Sequence, residues 1–182
     1  MKISYKPMSV NINGKTHGPI DVAEGMMMLD FLQENLNLTG TRMACGQGIC
    51  HACVIIVKEP DGSLQTLRTC ITGAHFFDNK EVITIEGIAQ DSDGATETKT
   101  PSPVQKAFMD NFSFQCGYCA PGFVNATTVF IEGLKRNPIP KDGLEAAIEE
   151  ALNHHICRCT GYVRYYQAVK ELVLSTPGLV RD

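Results

Sequence analysis

The chain has 182 residues, of which 43% are hydrophobic and 20% are charged, and its formal net charge is −4 at pH 7. This length suits one large domain or two small ones, and the composition is ordinary for a globular protein. Because phosphate binding requires a basic face, the dispersed and slightly acidic charge argues against nucleic acid as a partner, and no apolar run approaches the ~20 residues of a membrane span.

The first part of the chain is predicted to be rich in β-strands. Residues 9–12 (SVNI) form a short strand, Asn13-Gly14 is a hairpin signal, and a partner strand follows near residues 19–22. Residues 26–38 have the spacing of a helix with one buried stripe, made by Met27, Leu29, Leu32 and Leu36.

Residues 40–53 are rich in glycine and cysteine and are predicted to be irregular. Strands are expected at residues 53–59, 64–70 and 82–85, with a turn at Asp61-Gly62. Residues 1–88 therefore form one predicted domain. The polar residues 89–101 (AQDSDGATETKTP) are predicted to be an exposed linker.

From Ser102 onward the pattern becomes helical, so residues 102–182 form a second predicted domain. Ser102, Pro103 and Gln105 predict a capping box at the start of a helix that ends near residue 112. A second helix is expected at 121–135 and a third at 144–155, the latter framed by Asp142 and Glu145. A fourth follows Thr160-Gly161, and its predicted apolar face comprises Val163, Tyr166, Val169, Leu172 and Val173.

All eight cysteines fall into two groups with metal-ligand spacing, and none is left over. The first group has the plant-type ferredoxin spacing for a 2Fe–2S cluster: Cys45, Cys50, Cys53 and Cys70. Gly46 and Gly48 allow positive φ angles, so that backbone amides reach the sulfurs. Zinc fits this group poorly, because zinc sites prefer two CxxC knuckles.

The second group is CGYC followed much later by CRC: Cys116, Cys119, Cys157 and Cys159. On spacing alone, zinc remains a fair alternative to iron–sulfur here. His154 and His155 precede Cys157, but adjacent helical residues point in different directions, so they are interpreted as helix-end residues. Four disulfides are the other alternative, which the absence of a secretion signal and the CxxC and CxC pairs disfavour.

The segments TRMACGQGICHAC, QCGYCAPGF and ICRCTGY resemble the small iron–sulfur subunit of the xanthine oxidase family of molybdenum hydroxylases, over roughly residues 7–174. The resemblance implies an α+β fold, with a ferredoxin-like β-grasp domain followed by a four-helix bundle domain. It also implies that each domain binds one 2Fe–2S cluster through the cysteines given above.

The resemblance further implies an electron-transfer function. Electrons would pass from molybdopterin on a large catalytic subunit, through the helical-domain cluster and then the ferredoxin-like cluster, to a flavin subunit, cytochrome or other acceptor. Gln115 matches a glutamine that hydrogen-bonds the pterin, and Cys159 matches the ligand cysteine closest to the pterin amino group. Substrate chemistry, on an aldehyde or N-heterocycle, would occur on the partner subunit.

Two features depart from the family pattern. His51 stands where the family usually has glycine, so a positive φ there would strain it and place an imidazole near the first cluster. The linker 89–101 is longer than usual. Arg42, Arg68 and Arg158 lie near ligands and are candidates to offset cluster charge.

Two other functions remain open at this point, a free-standing two-cluster ferredoxin that shuttles electrons and a zinc-binding interaction module. A cytoplasmic location is expected, because residues 1–15 carry no apolar signal core or twin arginine. The alternative is a periplasmic location reached with a partner's signal.

Overall fold

The computed structural model describes residues 3–91 and 99–182. The chain has an α+β fold, in which a five-stranded sheet precedes residue 84 and the long helices follow residue 102. The strands of the sheet are β1 (Tyr5–Ile12), β2 (Lys15–Ala23), β3 (Val54–Lys58), β4 (Leu64–Arg68) and β5 (Glu81–Ile83). Their spatial order is β2-β1-β5-β3-β4, and the β1–β5 pair is parallel while the other three pairs are antiparallel.

The predicted Asn-Gly hairpin is present between β1 and β2. Asn13 has φ 53° and Gly14 has φ 81°, as a two-residue hairpin turn requires, and both flanking strands are longer than the sequence pattern indicated. The predicted helix over residues 26–38 is shorter, with helix α1 (Met28–Asp30) continued by a π-helical turn at Phe31–Asn35. Its buried residues are Met28, Leu29, Phe31 and Leu32, so the expected stripe is confirmed at Leu29 and Leu32, whereas Met27 and Leu36 are only partly buried.

The second half of the described chain contains four longer helices: α2 (Pro103–Asp110), α3 (Ala120–Arg136), α4 (Leu144–Leu152) and α5 (Val163–Ser175). The capping box at Ser102 and Gln105 is confirmed. The predicted cap of α4 is wrong, because Gly143 occupies the N-cap and no side chain caps the helix. On α5, Val163 is 70% exposed and the buried face comprises Tyr165, Ala168, Val169 and Val173.

Short elements complete the described chain. The strands β6 (Gln90–Asp91) and β7 (Lys99–Thr100) pair antiparallel, and β8 (Ile139–Pro140) pairs parallel with β9 (Val180–Arg181). Short 3-10 turns lie at Ala74–Phe77, Ile85–Gly87 and Lys141–Gly143. The ends of the predicted linker therefore form a ladder, and its central residues 92–98 lie outside the described chain.

Two hydrophobic cores meet at β3, which is buried on both faces. Ile55 and Val57 join the core between the sheet and α1, whereas Ile56 joins the core of the helices. Helix α3 packs against β3 and β4, and the buried side-chain amide of Asn125 donates a 2.8 Å hydrogen bond to the carbonyl of Val54. Within the described residues, no helix is long and apolar enough to cross a bilayer.

Candidate metal centres

The first ligand loop is shaped by residues in the left-handed conformation. Gly46 has φ 65°, Gly48 has φ 71° and His51 has φ 56°, so the chain between α1 and β3 turns repeatedly around one point. For His51 this conformation carries a modest strain, because residues other than glycine adopt it uncommonly, although Asn, Asp and His do so more often than the rest. The positive φ anticipated for His51 is therefore present.

The backbone of this loop is arranged to hold a thiolate at Cys45. The sulfur accepts hydrogen bonds from the main-chain amides of Gln47 (3.4 Å), Ile49 (3.3 Å) and Cys50 (3.4 Å). Burial opposes ionisation, but the amides outweigh it and lower the pKa of the Cys45 thiol to about 6. Amide donors of this kind also offset the negative charge of a bound cluster and influence its reduction potential.

The fourth cysteine of the first group, Cys70, is brought to the loop by the end of β4. The Thr69 hydroxyl donates a 2.8 Å hydrogen bond to the carbonyl of Cys53, and the Thr69 amide donates to the same oxygen. Burial, together with the neighbouring Cys53 thiol, raises the pKa of Cys70 to about 11. Arg68 reaches back to the loop, where its guanidinium donates a 3.0 Å hydrogen bond to the Gly48 carbonyl.

The second group lies where two helical hairpins meet. Cys116 and Cys119 precede α3, while Cys157 and Cys159 lie between α4 and α5. The sulfurs of Cys116 and Cys159 are 3.5 Å apart, and both residues are exposed. The sequence-based expectation that the hairpins bring the four thiols together is met.

The inner pair of this group, Cys119 and Cys157, is buried. Burial, with a further contribution from Cys157, raises the pKa of the Cys119 thiol to about 11. A hydrogen bond from the Tyr165 hydroxyl acts in the opposite direction. For Cys157 burial again opposes ionisation, but the hydroxyl and amide of Thr160 lower its pKa. The Cys157 sulfur is 3.0 Å from the Thr160 hydroxyl oxygen.

The thiols interact with one another in pairs, as the ligands of a 2Fe–2S cluster do. The contacting pairs are Cys45 with Cys50, Cys53 with Cys70, Cys116 with Cys159, and Cys119 with Cys157. Two thiolates for each of two irons is the arrangement that a 2Fe–2S cluster uses, whereas a structural zinc needs its four ligands around one point.

The two ligand loops also contact each other, which the sequence did not predict. The amide of Ile156, next to Cys157, donates a 3.1 Å hydrogen bond to the carbonyl of Cys50. The Tyr118 hydroxyl, between Cys116 and Cys119, donates to the carbonyl of Met43. The Arg42 guanidinium lies 5.8 Å from the centre of the Tyr118 ring, so this arginine packs against a residue that joins the two loops.

The histidines form part of the same contact. The His51 ring centre lies 5.1 Å from that of His155 and 5.5 Å from that of His154. Helix α4 ends at Leu152 with Asn153 as its C-cap, so His154 and His155 lie in the turn directly after the helix end. His155 is buried, and burial together with the nearby His51 lowers its pKa to about 4, so it is a neutral packing residue.

Gln115 lies on the surface beside the exposed Cys116. Exposed large apolar side chains lie near Gln115 in the chain, and Phe112 is 72% exposed. Other exposed apolar side chains in the neighbouring segments are Met109, Phe114, Tyr118, Tyr162 and Val163. Arg158, between the two cysteines of the CRC motif, is also exposed. Exposed apolar residues thus flank both members of the exposed thiol pair along the chain.

Comparison with known proteins agrees with this geometry. Residues 84–170, which contain the second group, match the family described as a 2Fe-2S binding domain. Residues 40–82, which contain the first group, match the iron-sulfur cluster binding domain of dihydroorotate dehydrogenase B. The chain is 34% identical to the nicotine 6-hydroxylase small subunit of Paenarthrobacter nicotinovorans, over 95% of this chain and 90% of that one. It belongs to the xanthine oxidase family, as a small iron–sulfur subunit.

Two further comparisons agree with this membership. The subunit is 31% identical to the nicotinate dehydrogenase small FeS subunit of Eubacterium barkeri, over 91% of this chain and 94% of that one. It is also similar to a chain in the crystal structure of quinoline 2-oxidoreductase from Pseudomonas putida 86. That superposition has a TM-score of 0.76 at 28% identity and covers 96% of this chain and 93% of the other.

Proposed function

We propose that this subunit carries electrons from the molybdopterin of a large catalytic subunit, through two 2Fe–2S clusters, to an external acceptor. The observation that carries the proposal is the pairing of all eight thiols into two sets whose loops are in direct contact. The complex oxidises an aldehyde or an N-heterocycle, and the substrate chemistry belongs to the large subunit.

The ligand assignment follows the paired thiols. Cys45, Cys50, Cys53 and Cys70 hold the first cluster, and Cys116, Cys119, Cys157 and Cys159 hold the second. The clusters supply reversible one-electron redox chemistry. The protein supplies the thiolates, the amide donors at Cys45, and a spacing between the loops that is fixed by main-chain contacts.

The surface exposure of the two sets supports the proposed direction of transfer. The Cys116–Cys159 pair is exposed, beside the exposed Gln115 and close in the chain to exposed apolar residues, as expected of a face that contacts molybdopterin on a partner. We therefore assign Gln115 and Cys159 to the pterin contact. The acceptor, a flavin subunit, a cytochrome or another redox protein, would receive electrons from the first cluster.

The sheet and the helices support a division into two domains. In this proposal residues 1–88 form a ferredoxin-like β-grasp domain, residues 89–101 a linker and residues 102–182 a four-helix domain. The separate hydrophobic cores on the two sides of β3 support this division. A cytoplasmic location stays a prediction from the sequence.

Purification of the native complex through a tag on this chain tests the proposal. We expect a large subunit with molybdopterin to co-purify, and we expect anaerobic addition of an aldehyde or N-heteroaromatic substrate to bleach the iron–sulfur absorption. A monomer without a large subunit that still accepts and donates electrons would indicate a free ferredoxin instead. A colourless protein with zinc and no acid-labile sulfide would contradict both electron-transfer functions.

A variant of Gln115 tests the direction of transfer. In Gln115→Ala, reduction of the clusters by substrate should slow, because a contact to the pterin is lost, whereas reduction by dithionite should be unchanged. Gln167→Ala, on the exposed face of α5, is the matched control and should behave like wild type. Equal rates of substrate reduction in the two variants would remove Gln115 from the proposed route.

A further inference from the structure

The first ligand loop packs closely against Gly122, in the first turn of α3. A β carbon added at Gly122 would lie 2.3 Å from the carbonyl oxygen of His51 and 3.3 Å from the Cα of Ala52. Favourable contacts between heavy atoms begin at about 3.5 Å. A methyl group at this position would therefore force the helix and the loop to move apart by about 1 Å. Only glycine permits the approach that is observed.

This contact lies within a few residues of ligands from both groups. His51 directly follows Cys50, and Gly122 comes three positions after Cys119. The Ile156 amide, next to Cys157, donates its hydrogen bond to Cys50 beside the same contact. A displacement of α3 from His51 therefore changes the distance between the two sets of thiols.

Neither side of the contact is free to yield. The atoms that a β carbon would meet belong to the backbone, and His51 is already held in the left-handed conformation, with its ring against His155. On the helix side, the Phe123 ring stacks on Tyr165 at 3.9 Å and lies 4.8 Å from His155. Close packing of this kind transmits a displacement instead of absorbing it.

We propose that Gly122 is a positioning residue that sets the separation of the two clusters, and with it the rate at which electrons pass between them. This inference rests on the proposed function, because it requires both clusters to be present. It adds to that function a residue that binds neither iron nor pterin. A glycine in the first turn of a helix lowers helix stability relative to alanine, so its presence there is explained by the close approach.

The test is the magnetic interaction between the two reduced clusters in the purified complex, measured by electron paramagnetic resonance. Dipolar coupling falls with the inverse cube of the distance between the spins. In Gly122→Ala we expect a narrower dipolar splitting and a several-fold slower transfer between the clusters after flash reduction. The g-values of each cluster should stay at their wild-type positions, since the ligands are unchanged.

Gly133→Ala is the matched control. Gly133 lies on the same helix, has nothing within 4 Å of an added β carbon, and is exposed, so the splitting should equal that of wild type. An unchanged splitting in fully loaded Gly122→Ala would overturn the inference while leaving the proposed function intact. A wild-type complex without two iron–sulfur signals would instead refute the proposed function.

A second variant provides the test if Gly122→Ala binds less than its full complement of iron–sulfur clusters. In the double variant with His51→Gly, glycine at position 51 lets the facing peptide move, so both clusters should assemble, with a narrowed splitting. If the double variant also loads incompletely while Gly133→Ala loads fully, the positioning role is refuted, since Gly122 would then be required for assembly.

Discussion

The amide of Ile156 donates a 3.1 Å hydrogen bond to the carbonyl oxygen of Cys50. Cys50 belongs to the first predicted ligand set, and Ile156 is bonded to Cys157 of the second. A peptide hydrogen bond thus joins two ligand loops that are more than 100 residues apart in the chain. Backbone geometry therefore holds the two proposed clusters in one arrangement.

Removal of one ligand from each set should release one cluster at a time. Cys70→Ala and Cys159→Ala should each lose about half of the iron and acid-labile sulfide, because each cluster has its own four thiolates. Iron analysis and electron paramagnetic resonance of the purified complex measure this. Each variant serves as the control for the other, since the signal lost in one should persist in the other. Loss of both signals from one substitution would contradict two separate ligand sets.

Arg68 should influence the reduction potential of the first cluster. Its guanidinium donates a 3.0 Å hydrogen bond to the Gly48 carbonyl within the ligand loop. Arg68→Gln removes a positive charge near a group that becomes more negative on reduction. The potential should therefore fall by roughly 10–40 mV, which corresponds to the ~0.2–1 kcal/mol of an exposed charge interaction.

A redox titration followed by electron paramagnetic resonance measures this shift. The matched control is Arg136→Gln, because Arg136 also donates to a glycine carbonyl, that of Gly62, in a turn without ligands. Its substitution should leave both potentials unchanged. Equal shifts in the two variants would show that Arg68 has no specific effect on the first cluster.

The left-handed conformation of His51 should affect the free energy of unfolding of variants at this position. His51→Val and His51→Gly both remove the imidazole, but only valine has a branched side chain that disfavours φ 56°. We expect the valine variant to be less stable than the glycine variant by about 1–3 kcal/mol. Thermal unfolding of the two loaded variants gives the difference. Equal stabilities would mean that the loop relaxes to another backbone conformation.

The capping box of α2 should contribute measurably to the helical part of the chain. The Ser102 hydroxyl accepts a 3.2 Å hydrogen bond from the Gln105 amide, and the Gln105 side chain accepts one of 2.8 Å from the Ser102 amide. Ser102→Ala should lower the free energy of unfolding by about 1 kcal/mol. Ser175→Ala, at the exposed end of α5, should change it by less than about 0.5 kcal/mol.

Features set by neighbouring residues were predictable from the sequence. The Asn13-Gly14 hairpin, the Ser102 cap and the cysteine spacings each depend on a few adjacent positions, and the structure contains the hairpin, the cap and the paired thiols. The third helix was predicted to extend through His155, but it ends at Leu152. There the chain turns so that His155 is buried against Phe123, a contact that periodicity does not encode.

Contacts between distant segments could not be predicted from local patterns. The hydrogen bond from Asn125 to Val54 and that from Tyr118 to Met43 join residues more than 70 positions apart. One signal was available, because Gly122 stands in the first turn of a predicted helix where alanine would be more stable. A glycine at such a position indicates that another backbone lies close to it.

The most direct test of the central claim is reductive titration of the purified native complex, followed by electron paramagnetic resonance and metal analysis. We predict two distinct 2Fe–2S signals from this chain in equal amounts, both of which develop when substrate is added anaerobically to the molybdopterin-containing complex. A single signal, or zinc in place of iron at either set of cysteines, would contradict the account.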